Sequence, residues 1–364
     1  MNTDMKGNET SITDMCGTNK VALLGEGKIY AGNQNLNKIQ DLFYPIIMIL
    51  RQDKYDNYNL QDKDVAIQTF DGNELLRVPA SVFLVEAEKL LKAINESEGS
   101  FSVPQIESFI NSIHCHSLKA KSTGKTDIRI VLHDRRTKLN SEMGFSIKSQ
   151  LGGDSTLLNA SKSTNINFKI QGASFSDEEI NDINALNPKR NKVIERVNAI
   201  KKKGGCLVFD KVDNQIFRNN LIMLDGDLPK LIGILLIEQL NSGISTLKEL
   251  IEYISELNPL GYDTEPGSPF YAYKIKHLLT SVALGMMPAT AWNGKFDANG
   301  GYLVVKKDGE ILCYHFYDRN RFEEFLYSNA YLERSSTSRH EYAKIIKEED
   351  GTLSFKLNFQ IRLK

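Results

Sequence analysis

The stretch GFSIKSQLG, residues 144–152, decides how the rest of the chain is read. Phe145, Ile147 and Leu151 are apolar, and Ser146, Lys148 and Gln150 alternate with them. A period of two puts the two sets on opposite faces of a β-strand. One face joins a core, and the other carries a hydroxyl, an ammonium and an amide in a row. An ammonium beside a core costs free energy unless a negative group compensates it. Lys148 therefore calls for an acidic partner close by.

An acid is available one strand earlier. TDIRIVL (126–132) alternates as cleanly, with Asp127, Arg129 and Val131 on one face and Ile128, Ile130 and Leu132 on the other. The polar segment HDRRTKLNSEM joins the two stretches, so an antiparallel pair is expected, with NINFKIQG (165–172) as a third strand of a small meander. Pairing sets Asp127 and Lys148 side by side at one sheet edge. Eighteen residues separate Asp127 from Ser146, and Lys148 follows two further on.

An acid on one strand and an x-lysine pair on the next resemble the PD-(D/E)xK nuclease core. The residue types suit phosphodiester hydrolysis, which uses a hard divalent cation, usually Mg²⁺, to polarise the phosphate and acidify a bound water. In this reading Asp127 and the backbone carbonyl of Ile147 hold the cation. Lys148 stabilises hydroxide and the charge that builds on the phosphate, and Gln150 orients the water or the lysine. Ser146 stands where the commoner pattern has Asp or Glu, and Thr126 where it has Pro. A further acid is then wanted, and Glu142, Glu107, Glu9 and Asp14 all stay open. An isolated D-x(18)-S-x-K also arises by chance, with the lysine merely a snorkelling edge residue. The alternation of both strands argues for more than that.

Composition sets the frame. A chain of 364 residues with 41% hydrophobic content can bury a large core, as one big domain or two fused ones. A net charge of −1 means that any contact with nucleic acid must use local patches. No apolar run reaches the length of a membrane span, and the start MNTDMKGNETSITDMCGTNK has no signal-peptide character. Four scattered cysteines with no CxxC pair argue against a disulfide framework or a cysteine zinc site and fit a reducing cytoplasm.

The expected fold class is α/β (α+β), a central mixed sheet flanked by helices with further helical and hairpin elements in the C-terminal half. Residues 1–20 form a flexible or atypical N-terminal segment, 21–175 the part with the nuclease core, and 176–364 a helical and hairpin region that contacts DNA. Helical spacing predicts helices over 35–51, broken near Tyr44 by Pro45, and over 81–94 and 104–113. Further on, 177–203 reads as helical, and GCLVFD and NLIMLDG as a strand pair. Helices follow over 228–240, 247–257 and 269–284. A hairpin joins 302–305 to 311–316, a helix covers 321–329, and a last hairpin turns at Asp350-Gly351.

Several segments invite a role on DNA. GGDSTLLNASKST (152–164) offers Ser155, Thr156, Asn159, Ser161 and Lys162 to backbone or base edges, or is an ordinary surface loop. SSTSRH (335–340) and NFQIR (358–362) supply Arg339, His340, Gln360 and Arg362. Arginine reads guanine bidentately, while the alternative is hydrogen bonding within a C-terminal hairpin. PKRNKVIERVNAIKKKGG (188–205) can neutralise phosphates, or is a solvated helix face whose last lysines suit the helix dipole. HCH (114–116) has no further ligand cluster nearby and reads as structural. GKT in STGKTD lacks the upstream glycine of a phosphate loop, since position 119 is lysine. Phe270, Tyr273 and His277 in FYAYKIKHLL read as core.

GKTDIRI, GFSIKSQLGGDSTLLNAS, STSRHEYAKI and the ending FKLNFQIRLK resemble the HpaII family of type II restriction endonucleases. GEGKIYAGNQNLNKIQDLFYPIIMILR is similar to that family's N-terminal part. The resemblance runs from about residue 21 to the end, and residues 1–20 depart from it. It implies Mg²⁺-dependent double-strand cleavage at a short palindrome, CCGG, leaving 5′-phosphate ends. Asp127, Ser146 and Lys148 match the family's site, with Gln150 beside them. A cytoplasmic enzyme is implied, with a methyltransferase of the same site as a genetic partner only. A two-fold dimer would suit a palindrome, and monomeric action stays open. Two rival readings are a repair or junction-resolving metal nuclease and a non-catalytic DNA-binding protein on a nuclease scaffold.

Overall fold

The two alternating stretches pair, within a larger sheet than the sequence suggests. The computed structural model describes residues 3–4, 46–50, 56–61, 63–97, 100–115, 125–133, 138–151, 154–306, 311–315 and 319–364. The chain divides into two units, the first of residues 1–155, 283–285 and 295–323, the second of 156–282, 286–294 and 324–364.

Eight strands form the main sheet of the first unit. They are β1 (Ile46–Leu50), β2 (Asp56–Leu60), β3 (Asp64–Thr69), β4 (Glu74–Pro79), β5 (Ile128–His133), β6 (Asn140–Ser149), β7 (Gly301–Val305) and β8 (Ile311–His315). Their order is β8-β7-β6-β5-β1-β2-β3-β4. Only β6 and β7 run parallel; the other neighbours are antiparallel, so the sheet is mixed. Residues 46–50 correct the expected helix: IIMIL is a strand inside the sheet. A short apolar run does not distinguish a buried strand from a helix turn. The rest of that expected helix, 35–45, lies outside the described residues.

Two helices cover one sheet face. Helix α1 (Ala80–Glu96) buries Phe83, Ala87, Leu90 and Ile94, whose spacing of four, three and four makes one stripe. Helix α2 (Pro104–Ser112), with proline in its first turn, buries Ile106 and Ile110. These side chains share one cluster with Ile128, Ile130, Phe145, Ile147 and Leu303. Phe83 meets Phe109 edge-on at 5.5 Å, and burying such a ring contributes about 2–3 kcal/mol. Past α2, His114 of the HCH stretch has a left-handed φ of 63°, so it sits in a turn; His116 lies outside the described residues.

The opposite face of β6 is covered as well. Tyr302 pairs with Ser146 and Val304 with Lys148, which puts these four on the face away from α1 and α2. Tyr302 packs edge-on against Phe322 at 5.3 Å, and its hydroxyl donates to the Ala283 carbonyl at 3.4 Å. Residues 144–148 are accordingly all buried.

The second unit holds an antiparallel sheet of four strands, ordered Cys206–Val212, Asn165–Gln171, Leu353–Asn358 and Ile345–Lys347. Asn165–Gln171 is therefore not the third strand of a meander with β5 and β6. A three-stranded sheet joins Ala330–Leu332, Ile361–Leu363 and Ser155–Leu158. The expected helix over 177–203 is two helices, Asp177–Ala185 and Lys192–Lys202, with Pro188 in the break. NLIML lies in helix Gln215–Leu224 rather than in a strand. Asn214 caps it by accepting from the Phe217 N–H at 2.9 Å, and Phe217, Asn220 and Leu221 are buried at helical spacing. In helix Phe270–Leu284 the core side is Tyr271, Ile275, Leu278 and Val282, while Tyr273 is 62% exposed, against the core reading of that residue.

Candidate active site

Asp127 lies one residue before β5, where its ladder with β6 ends. Ile128 stands opposite Phe145, so Asp127 faces Ser146. Its backbone N–H donates to the Phe145 carbonyl at 2.8 Å. Its carboxylate Oδ2 accepts from the Ser146 hydroxyl at 3.1 Å and from the Ile147 N–H at 2.5 Å. Hydrogen bonds to an ionised carboxylate are strong and fix its orientation. The N–H and C=O of a strand residue point to the same side, so the Ile147 carbonyl also faces the Asp127 strand. These residues sit on interior strands, at the end of a ladder, and not at the sheet edge expected from the sequence.

Lys148 shares the face of Ser146 and is only 7% exposed. Its Nζ stands 5.2 Å from the centroid of the Tyr302 ring. A desolvated ammonium over an aromatic face gains about 0.5–2 kcal/mol, which offsets part of its burial. Gln150 is exposed beyond the end of β6, and its N–H donates to the Val305 carbonyl at 2.9 Å.

The additional acids fare differently. Glu142 lies on the Ser146 face but about 13 Å up the strand, at 3.3 Å per residue, and its carboxylate is paired with Arg129 at 3.1 Å. Glu107 accepts from the Ser102 hydroxyl at 2.9 Å on α2, which packs on the opposite sheet face. Glu9 and Asp14 lie outside the described residues. Among the described residues no three His, Cys, Asp or Glu side chains gather into a metal-holding group.

Sequence reasoning missed Asp297 and Asn299. Asp297 Oδ2 accepts from the N–H groups of Lys125 at 3.0 Å and Thr126 at 3.1 Å, and its Oδ1 accepts from Arg129 at 2.9 Å. Asn299 accepts from the Gly144 N–H at 2.7 Å. In the sequence GKFDANGG reads only as turn chemistry, with no sign that it reaches strands some 170 positions earlier.

In the second unit, three of the segments proposed for DNA contact meet. Asn358 donates to the Ser161 carbonyl at 2.8 Å and to Asn165 Oδ1 at 2.7 Å, and Asn165 in turn donates to the His340 carbonyl at 2.9 Å. Lys162 pairs with Glu341 at 2.5 Å. Thr156 lies in the strand beside Ile361–Leu363, the strand that carries Arg362. Ser155 belongs to the first unit and donates to the Ser149 carbonyl at 3.2 Å. Asn159 and Arg339 are exposed, and Arg362 is paired with Glu333 at 2.5 Å. Gln360 is 7% exposed, and its amide oxygen has no partner among the described residues. Burial, and secondarily the adjacent Arg339, lower the pKa of His340 below its usual 6.5, which favours the neutral ring.

The basic stretch 188–205 is corrected at one residue. Arg196 is 2% exposed and points inward, donating to the carbonyls of Leu186 at 3.1 Å, Ala343 at 2.6 Å and Asn184. Its charge staples the break between two helices and is not presented to solvent. Lys203 is ion-paired with Glu179.

A carboxylate, a hydroxyl and an ammonium on one face of two adjacent strands are groups able to act on a phosphodiester, and comparison with known proteins points to the restriction endonucleases. A family model described as HpaII restriction endonuclease matches residues 20–363. The type II restriction enzyme HpaII of Haemophilus parainfluenzae is 42% identical over 344 residues, spanning 93% of this chain and 94% of that protein. The chain belongs to the HpaII restriction endonuclease family. No solved structure matches. Among the described residues no helix is long and apolar enough to cross a membrane.

Proposed function

We propose that this restriction endonuclease cuts both strands of DNA at the palindrome CCGG, leaving 5′-phosphate ends, on a PD-(D/E)xK-like core formed by β5 and β6. The reading is carried by one observation: Asp127 is hydrogen-bonded to Ser146 across adjacent strands, with Lys148 two residues on and on the same face. The extent of identity to a type II restriction enzyme supports it.

The donor set suits Mg²⁺. The Asp127 carboxylate, the Ser146 hydroxyl and the Ile147 carbonyl are all hard oxygens, and Mg²⁺ is commonly held by one or two carboxylates with waters and substrate phosphate oxygens. When bound, the cation supplies polarisation of the scissile phosphate and a more acidic water. Asp127 is already turned by the Ser146 hydroxyl and the Ile147 N–H, so its orientation needs no rearrangement on binding. The Lys148 ammonium meets negative charge as it develops on the phosphate, and in a buried setting that interaction is worth more than in water. Gln150, exposed at the strand end, orients a water. Glu142 and Glu107 are not assigned as ligands, one being held by Arg129 and the other lying under the opposite face. In the second unit Arg339 is the exposed guanidinium for guanine, with Asn159 and Ser161 on the segments held beside it. A separate methyltransferase acting on the same sequence is the genetic partner.

The test is digestion of unmethylated plasmid with the purified protein and Mg²⁺, followed by sequencing of the fragment ends. Ends within CCGG are expected. Discrete ends at another motif would refute the assigned sequence. Structure-dependent nicking would point to a repair-type nuclease, and intact DNA with tight duplex binding to a non-catalytic protein.

A further inference from the structure

We infer that Asp297 is a positioning residue for cleavage, holding the entry of β5 so that Asp127 meets Ser146. The inference rests on the reading of Asp127 given above. Three donors converge on the Asp297 carboxylate. The N–H groups of Lys125 and Thr126 reach Oδ2 at 3.0 and 3.1 Å, and the Arg129 guanidinium reaches Oδ1 at 2.9 Å. These donors bracket Asp127 on both sides in sequence. Asp127 itself lies just outside the β5–β6 ladder, where regular pairing has ended.

The same turn grips the other strand. Asn299 accepts from the Gly144 N–H at 2.7 Å, and the Gly300 N–H donates to the Gly144 carbonyl at 2.7 Å, two residues before Ser146. The approach is so close that a Cβ on Gly300 would stand 2.5 Å from the Phe145 ring. The turn is anchored in its own unit by the Ala298 N–H, which donates to the Leu284 carbonyl at 2.8 Å. Residues 297–300 thus clasp both strands that carry the site, one through a carboxylate and one through an amide.

The chemistry of the clasp separates its role from metal binding. Both Asp297 oxygens already accept hydrogen bonds, so the carboxylate is engaged in holding backbone. It must also be a carboxylate: an amide at this position would turn an N–H toward either the Arg129 guanidinium or the paired backbone N–H groups. One clasp contact would then become donor against donor, and the Thr126–Asp127 segment would shift.

The experiment is Asp297→Asn, assayed by single-turnover cleavage of a CCGG duplex across a Mg²⁺ titration. Duplex binding in Ca²⁺ and the circular dichroism spectrum are measured alongside. Loss of a group that supports a ligand typically costs about 10–100-fold. The rate is expected to fall within that range and the Mg²⁺ midpoint to rise, with duplex affinity and spectrum unchanged. A wild-type rate and midpoint would overturn the inference, and so would a lower melting temperature with both kinetic values unaltered. Asp127→Asn in the same series separates the two levels of argument. If it cleaves normally, the site reading itself fails; if it is inactive while Asp297→Asn is wild type, only the positioning role fails. Should Asp297→Asn not fold, Arg129→Met decides, since it removes one donor and leaves the two backbone contacts. A reduced rate with a raised Mg²⁺ midpoint supports the role, and wild-type values overturn it.

Discussion

Gly144→Ala tests how closely the strand carrying Ser146 and Lys148 must approach the 297–300 turn. A Cβ on Gly144 would stand 2.6 Å from the Asp297 carbonyl oxygen and 2.8 Å from both Cγ2 and Oγ1 of Thr126. Comfortable non-bonded contacts of carbon begin near about 3.5 Å, so the backbone of the turn must retreat by roughly 1 Å. Overpacking a buried position costs about 1–3 kcal/mol. Retreat of the turn also weakens the bond from the Gly144 N–H to Asn299, worth about 1 kcal/mol. The sum is about 2–4 kcal/mol, and at about 2–4 °C per kcal/mol for a unit of this size the melting temperature drops by about 4–16 °C. Cleavage at a temperature where the variant is folded falls as well, because Thr126 moves and Asp127 follows it. The assay is thermal denaturation by circular dichroism with single-turnover cleavage at 25 °C. Gly226→Ala is the control, since a Cβ there meets nothing within 4 Å and the change is expected to be neutral or slightly stabilising. A Gly144→Ala protein that melts with the wild type and cleaves at its rate would refute the reasoning.

Other consequences follow from the same geometry. Lys148→Ala is expected to lower single-turnover cleavage by about 10²–10³-fold, and Lys148→Arg to fail too, since a planar fork does not replace a compact ammonium packed on Tyr302; a fast Arg variant would contradict this. Arg196→Met keeps the stem but leaves the carbonyls of Leu186 and Ala343 without their donor, for a loss of about 3 kcal/mol or more in denaturant unfolding. The salt dependence of its DNA binding should match the wild type, because that guanidinium is buried. His340 has a folded pKa below its unfolded 6.5, so the unfolded chain binds the extra proton and stability rises with pH across that window. Melting temperature is expected to be fully present above about pH 6.5 and to fall below it, with His340→Gln flattening the slope; an unchanged slope would remove His340 as its source.

What the sequence discloses depends on how local the signal is. Alternation over 126–132 and 144–151 is a pattern of neighbouring residues, and by itself it puts Asp127, Ser146 and Lys148 on one face of paired strands, the pairing that β5 and β6 make. The stripes of α1 and of helix Leu247–Leu257 are local in the same way. Ile46–Leu50 is illegible locally because five consecutive apolar residues have no period, and what makes it a strand is its pairing with Asp56–Leu60 and with Ile128–His133, the latter about 80 positions away. Asn165–Gln171 reads correctly as a strand but is set beside the wrong neighbours, since the partners it pairs with begin at Cys206 and Leu353, far along the chain. Arg196 looked like one more charge in a basic run; only the carbonyls of Leu186 and Ala343 show that it turns inward. Asp297 was invisible for the same reason: its three donors lie about 170 positions away.

The most direct test of the account is single-turnover cleavage of one CCGG duplex by Asp127→Asn beside the wild type, in Mg²⁺, with equilibrium binding of the same duplex measured in Ca²⁺. Undetectable cleavage by the variant with binding retained is expected, because the carboxylate that accepts from Ser146 and Ile147 is the acid on which the proposed site rests. Cleavage by Asp127→Asn at the wild-type rate would place the chemistry elsewhere in the molecule.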